Sequence, residues 1–203
     1  MFTGIVTAMG TVAKVRRTGR GLELTVASPY RGLGVGDSVA LDGACLTVVR
    51  TGRGTFVVEA VTMTRSRTTF GAWRIGRTCN LERPLRLGGC LGGHLVAGHV
   101  DGVGRVVRRR VLEDSVLLDI RVPKPVFDLC VPHGSIAVDG VSMTVNAIPG
   151  RNVVQLSVIP HTLEVTTLGR ARVGRRVHLE ADLVGKFLRQ LAKPYLGRRR
   201  RGA

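Results

Sequence analysis

The chain contains two copies of one pattern, and that limits its fold more than any other feature. GDSVALDGACLTVV (36–49) lies over HGSIAVDGVSMTVN (133–146) at an offset of 97. The match keeps Ser38/Ser135, Ala40/Ala137, Asp42/Asp139, Gly43/Gly140, Thr47/Thr144 and Val48/Val145. TRSRTTFGAWRIGRTCNLE (64–82) lies over TLEVTTLGRARVGRRVHLE (162–180) at 98, and MFTGIVTAMGTV (1–12) over LVAGHVDGVGRV (95–106) at 94. Order, register and glycine positions are retained together, and small loop insertions account for the drift. Two repeats of about 95 residues are too few and too long for a solenoid. A duplicated small domain remains.

Within each copy the periodicity is that of strands. Residues 22–27, 38–41, 45–49 and 55–60 are short, rich in β-branched side chains and separated by glycine-containing turns. About six such strands per copy suit a closed antiparallel barrel, which hides its edges. The N-terminal MFTGIVTAMG is strand-like from its first residues, and Pro125–Cys130 suits a turn of helix. One long helix is expected, at the end. Asp182 is its N-cap, Leu183, Val184, Phe187, Leu188 and Leu191 form an apolar stripe, and Pro194 closes it. The expected fold is all-β, with a barrel over 1–92, a barrel over 93–181, an oligomerisation helix over 182–197 and a basic tail over 198–203. The Gly88–Gly93 stretch is the expected junction. Gly32–Gly36 is not a nucleotide loop, because no helix follows it.

Composition closes off other classes. Hydrophobic residues make up 44% of the 203, enough for a core, while aromatics at 4% make that core aliphatic. No apolar run reaches the roughly 18 residues of a membrane span, and no signal peptide opens the chain. A cytoplasmic location is the expectation. Cys45, Cys79, Cys90 and Cys130 lack CxxC spacing, so free thiols, mostly buried, are expected rather than a metal site. His94 and His99 are five apart, a spacing that fits neither one helix face nor one strand face, which argues against a shared metal. Thirty-one basic against fourteen acidic residues give a net charge of +17, almost all from arginine. Such charge attracts nucleic acid. With few aromatics to stack on and no RNA-binding motif, however, a basic enzyme with a solvated tail is the preferred reading.

MFTGIV (1–6), DGACLTV (42–48), GGHLVAGHVDG (92–102), DGVSMTV (139–145) and IPHTL (159–163) together resemble the riboflavin synthase family of the alpha-chain type, from Met1 to about Leu191. The resemblance implies two tandem six-stranded Greek-key barrels and a C-terminal helix that forms a homotrimer. It implies dismutation of two 6,7-dimethyl-8-ribityllumazine molecules to riboflavin and 5-amino-6-ribitylaminouracil, with no cofactor and no metal. The active site would lie between the N-barrel of one subunit and the C-barrel of another, and lumazine synthase is a candidate partner.

Residue by residue, the resemblance implies an N-barrel pocket of Gly4, Ile5 and Val6, of Cys45, Leu46 and Thr47, and of Glu59, Ala60, Val61, Thr62, Met63 and Thr64. Its C-barrel counterpart comprises Gly98, His99 and Val100, then Ser142, Met143 and Thr144, then Ser157, Val158, Ile159, Pro160, His161 and Thr162. Phe2, Ser38, His133 and Asp182 complete the substrate-binding set, Phe2 by covering the ring or ordering the N-terminus. The repeat sets Cys45 against Ser142 and Ile5 against His99, so identical ligands meet different chemistry. His99 and Ser142 are expected to support proton transfer or water addition at one lumazine. Cys45 is expected to act as nucleophile or packing group at the other.

Three positions depart from the family. His133 replaces a lysine, Asp42 stands where asparagine is frequent, and Met63-Thr64-Arg65 replaces Glu-Thr-Leu in the first copy. These departures leave two other readings: a lumazine-binding protein without turnover, and a basic barrel that binds RNA.

Overall fold

A computed structural model describes residues 1–19 and 21–196, so the expected basic tail over 198–203 lies outside the described residues. Each copy folds into a closed six-stranded antiparallel barrel. The first uses β1 (Ala8–Thr18), β2 (Gly21–Ala27), β3 (Ser38–Leu41), β4 (Ala44–Gly52), β5 (Thr55–Val61) and, after helix α1 (Thr62–Arg67), β6 (Thr78–Glu82). The second uses β7 (Gly102–Val111), β8 (Val116–Arg121), helix α2 (Lys124–Phe127), β9 (Ser135–Val138), β10 (Val141–Gly150), β11 (Val153–Val158), helix α3 (Pro160–Val165) and β12 (Arg176–Ala181). The strands close in the order β1-β2-β5-β4-β3-β6, and the second barrel repeats that order six strands on. Even the irregularities recur: bulges at Val12/Lys14 and Val48/Arg50 return at Val106/Arg108 and Val145/Ala147.

Alternating burial fills both barrels. Val12, Leu24, Val26, Leu41 and Val58 fill the first, and Val106, Leu118, Ile120, Val138 and Leu156 the second. The barrels meet along a pseudo-two-fold axis. Two-residue Asp-Gly turns join β3 to β4 and β9 to β10, with Asp42 and Asp139 at φ 42 and 46 and Gly43 and Gly140 at φ 81 and 76. These are the left-handed conformations that such hairpins require. The turns pack backbone to backbone: a Cβ on Gly43 falls 2.7 Å from the Gly140 nitrogen, and one on Gly140 falls 2.6 Å from the Gly43 nitrogen. No larger residue fits either place.

Each turn is held by a carboxylate. Asp42 accepts from the Asn80 backbone N–H and pairs with Arg77 at 3.0 Å, while Asp139 accepts from the His178 N–H and pairs with Arg175 at 2.8 Å. Burial and the nearby Asp139 carboxylate push the Asp42 carboxyl up, against the pull of Arg77 and the Asn80 N–H. The Asn80 amide then crosses the axis, donating to the Asp139 carbonyl and accepting from the Thr167 N–H. His178 does the same in reverse, with Nδ1 donating to the Asp42 carbonyl at 2.9 Å and Nε2 accepting from the Thr69 N–H at 2.8 Å. One ring performs both jobs only when neutral, because a protonated Nε2 would face a donor.

Several expectations are corrected. Strand structure does not begin at Met1: residues 1–7 form an arm, with one isolated bridge from Phe2 to Val96. Pro194 does not close the last helix, α4, which runs Leu183–Leu196. Proline removes one backbone donor and crowds the carbonyl four residues earlier, yet the helical turn continues through Pro194 to Leu196, the last described residue. Asp182 does cap α4, its carboxylate accepting from the Val184 N–H at 2.9 Å. Of the four free cysteines only Cys79 is buried; Cys45 and Cys130 are half-buried and Cys90 is exposed. Among the described residues no helix is long and apolar enough to cross a membrane.

Burial holds the His178 imidazole below its ordinary range. In the unfolded chain it titrates near 6.5. As pH falls below about 6.5, the unfolded state takes a proton that the native state refuses, so the stability His178 contributes is full above that pH and lost below it. His178→Asn copies Asn80 and removes the titration. Chemical denaturation from pH 8 to 5 should show this variant gaining on the wild type as pH falls. A gap that does not change with pH would contradict the assignment.

Candidate active site

The two arms that precede the barrels build the site. Residues 1–7 lead into β1 and residues 95–101 into β7, and the arms pair with each other: Phe2 N–H donates to Val96 C=O at 2.7 Å and Val96 N–H to Phe2 C=O at 3.1 Å. Each arm is gripped by its own barrel through a buried glutamate. Glu82 at the end of β6 accepts from the Thr3 N–H (2.6 Å), the Thr3 hydroxyl (2.8 Å) and the Gly4 N–H (3.0 Å). Glu180 in β12 accepts from the Ala97 N–H (2.7 Å) and the Gly98 N–H (3.0 Å). Burial raises both carboxyls from their ordinary range, and the backbone donors offset that cost.

The arms then cross over. The Gly4 carbonyl accepts from Ser142 N–H of the second barrel at 2.8 Å, and the Gly98 carbonyl accepts from Cys45 N–H of the first at 2.9 Å. Val6 packs against the second barrel's core and Val100 against the first's. Glycine is needed at the crossing, where Gly4 has φ 75 and Gly98 φ 80. A Cβ on Gly98 falls 2.5 Å from the Cys45 Cβ, and one on Gly4 falls 2.7 Å from the Ser142 Cβ.

This crossing regroups the expected pockets. Gly98, His99 and Val100 join Cys45, not Ser142, and line a cavity of about 340 Å³ with Met63, Thr64 and Arg67 of α1 and with Thr68. Gly4, Ile5 and Val6 go to the Ser142 side. Ser142 does not line this cavity, which His99 shares with Cys45. The reason is that an arm's place in the chain fixes which barrel it leads into, while its hydrogen bonds fix which barrel it serves.

Ser142 has a different histidine. His94 Nδ1 lies 2.7 Å from the Ser142 hydroxyl, and its Nε2 is buried with no hydrogen-bond partner among the described residues. Burial lowers the His94 pKa, opposed by the Asp182 carboxylate nearby, so the ring is neutral near pH 7. In the tautomer whose Nδ1 carries no proton, the serine hydroxyl donates to it and the two form a proton-transfer pair. Gly93 packs on Ser142 and Gly92 lies against Ile5, so the connecting segment covers this side, whereas the Cys45 side is open. Sequence reasoning considered His94 only as a metal ligand; its place in the GGH stretch beside the second arm was the available signal.

The remaining expected residues divide by strand alternation. Cys45 and Ser142 are half-buried on the arm-facing side, while Leu46, Ala60, Met143 and Val158 point into the barrel cores and offer only backbone to a ligand. Thr47 and Thr144 are exposed, and Ser38 pairs with Thr47 across the β3–β4 ladder. Glu59 sits opposite Glu23 on β2, and Ser157 opposite Leu117 on β8. Val61, Thr62 and Met63 lead exposed into α1, as Ile159, Pro160 and His161 do into α3. Thr64 and Thr162 lie on these helices, and their carbonyls accept from the Thr68 and Thr166 hydroxyls at 2.7 and 2.6 Å. Phe2 is fully buried among Ala40, Val96 and Ala137, so it orders the N-terminus instead of covering a ring. His133 stands on an exposed turn at φ 64, apart from the lining of the Cys45 cavity.

Comparison with known proteins agrees with this geometry. A family profile described as the lumazine binding domain matches residues 3–84 and again 97–182. Riboflavin synthase of Mycobacterium tuberculosis (strain ATCC 25618 / H37Rv) is 41% identical over 198 residues, covering 95% of this chain and 98% of the relative. That of Photobacterium phosphoreum is 37% identical over 194 residues, covering 94% and 88%. Among solved structures, LumP complexed with riboflavin superposes with a TM-score of 0.83 at 24% identity, covering 89% of this chain and 99% of that one. LumP complexed with 6,7-dimethyl-8-(1'-D-ribityl)lumazine gives 0.81 at 23% over the same shares. At that identity the likeness concerns the fold.

The crossing is tested by crowding it. Gly98→Ala combines left-handed strain with a clash against Cys45 and should cost about 2–5 kcal/mol in urea denaturation. Gly54→Ala, at φ 68 with open space around it, carries the strain alone and should cost about 1–2 kcal/mol. Equal losses would mean that the arm does not pack where the hydrogen bonds put it.

Proposed function

Because this chain belongs to the lumazine-binding domain family of the riboflavin synthases, we propose that it dismutates two 6,7-dimethyl-8-ribityllumazine molecules into riboflavin and 5-amino-6-ribitylaminouracil. One observation carries the reading: the crossed arms create two equivalent places on one frame and furnish them differently, Cys45 with His99 lining a cavity at one and Ser142 in contact with His94 beneath the connecting segment at the other. A reaction between two copies of one molecule, in which one gives a four-carbon unit and the other receives it, calls for that combination. The products contain the same atoms as the two substrates, so no oxidant, reductant or carrier enters the balance.

Most of the rate then comes from holding the two rings together, since orientation in a shared site is worth up to about 7–11 kcal/mol. The polar backbone of the arms and of β4 and β10 serves the pyrimidine edges, and the Thr64 and Thr162 hydroxyls serve as donor or acceptor. Ser142, backed by the neutral His94, moves protons at one ring. Cys45 and His99 act at the other, Cys45 as nucleophile or close-packed wall.

We place each complete site between subunits of a homotrimer, the N-barrel pocket of one against the C-barrel pocket of the next. The stripe on α4 supports this: Val184, Phe187, Leu188 and Leu191 are each more than half exposed, an apolar face that three helices would cover. Four unpaired cysteines suit the reducing cytoplasm.

Ser142→Ala and Cys45→Ala should each lower kcat by about tenfold or more, followed by riboflavin absorbance, while lumazine fluorescence still reports binding. Co-expressed, the two variants should exceed the sum of their separate activities, because mixed trimers pair an intact pocket from each. Wild-type rates in both variants would overturn the catalytic assignment. Activity merely equal to the sum would overturn the inter-subunit site, and bound lumazine without turnover in the wild type would leave a carrier.

A further inference from the structure

On the outer face of the second barrel, three arginines stand side by side. Arg176 of β12 is the cross-strand partner of Arg105 of β7, and Arg105 is the partner of Arg121 of β8. Directly opposed residues share a face with Cβ atoms about 5 Å apart, and like charges placed so repel. All three are exposed, and among the described residues none pairs with a carboxylate. Among the described residues, their one side-chain hydrogen bond runs from Arg105 Nη1 to the Gly174 carbonyl, at 3.3 Å. They line a cavity of about 420 Å³ together with Lys124 and Asn152.

The first barrel is the internal control. Its equivalents of Arg176, Arg105 and Arg121 are Thr78, Thr11 and Ala27, paired in the same register. The same scaffold closes there without any charge in the row. Closing the barrel therefore does not require arginine at these positions.

We propose that this row is a binding site for a small multivalent phosphate, such as pyrophosphate or the phosphate chain of a nucleotide. Three guanidinium forks on adjacent strands offer enough donors for several phosphate oxygens at once, and the anion relieves their mutual repulsion. The cavity is of small-ligand size, and no aromatic side chain lines it, so a base has nothing to stack on and recognition falls on the phosphates. An extended RNA strand is the less suitable occupant for both reasons.

Titration calorimetry with pyrophosphate at about 150 mM salt, where the screening length is about 8 Å, tests the site. Saturable binding of one anion per chain is expected, weakened at least about tenfold in Arg105→Thr and in Arg121→Ala, which copy Thr11 and Ala27 of the first barrel. In buffer free of multivalent anions, Arg105→Thr should melt higher than wild type, and pyrophosphate should raise the melting point of the wild type more than that of the variant. A parallel titration with ATP separates the sources: equal affinity assigns the site to the phosphates themselves, and tighter binding to a nucleotide. Binding unchanged in both variants, or no saturation by either ligand, would overturn the site. An RNA oligonucleotide that displaces pyrophosphate at lower concentration would overturn the small-ligand assignment.

Discussion

Everything in this molecule rests on two glutamates gripping backbone. Glu82 and Glu180 are buried, and a buried carboxylate is tolerated only where donors satisfy it. Here the donors are consecutive N–H groups of the arms, so satisfying the charge fixes the path of the chain. Once Thr3 and Gly4, or Ala97 and Gly98, are held, the next carbonyl is aimed at the opposite barrel, where the amide of Ser142 or Cys45 receives it. The same few bonds tie each arm to both barrels and place the side chains of the proposed site. Stability and function share one set of contacts.

Duplication let the two halves diverge on an unchanged frame. Asn80 and His178 carry out one hydrogen-bonding task with different groups, and the surroundings differ too: Phe70 and Trp73 pack at the edge and face of His178, while the repeat has Leu168 and Ala171 at the equivalent positions. Cys45 and Ser142, Arg67 and Val165, and Thr11 and Arg105 are further pairs in which the backbone is kept and the chemistry changed. A symmetric scaffold that carries asymmetric side chains suits a reaction that treats one of two identical molecules as giver and the other as receiver.

The barrels, the last helix and its cap were legible in the sequence because they rest on local signals: alternation, turn residues and an aspartate before an apolar stripe. The two six-residue helices α1 and α3 were not, being too short to show a period. The pairing of arms to pockets was not legible either. Gly4 precedes the first barrel and Gly98 the second, and nothing in their order tells which barrel each will serve; that depends on hydrogen bonds between residues 138 and 53 positions apart in the chain, Gly4 with Ser142 and Gly98 with Cys45. His94 was passed over for a related reason. Its partner Ser142 lies 48 positions away, and the spacing test applied to it asked only about His99.

The proposed chemistry makes a strict demand on material balance. Purified chain supplied with 6,7-dimethyl-8-ribityllumazine, with no cofactor added, should consume two equivalents for each riboflavin formed and release one equivalent of 5-amino-6-ribitylaminouracil, measured by chromatography over the time course. Consumption at one to one, or lumazine recovered intact after prolonged incubation, would contradict it.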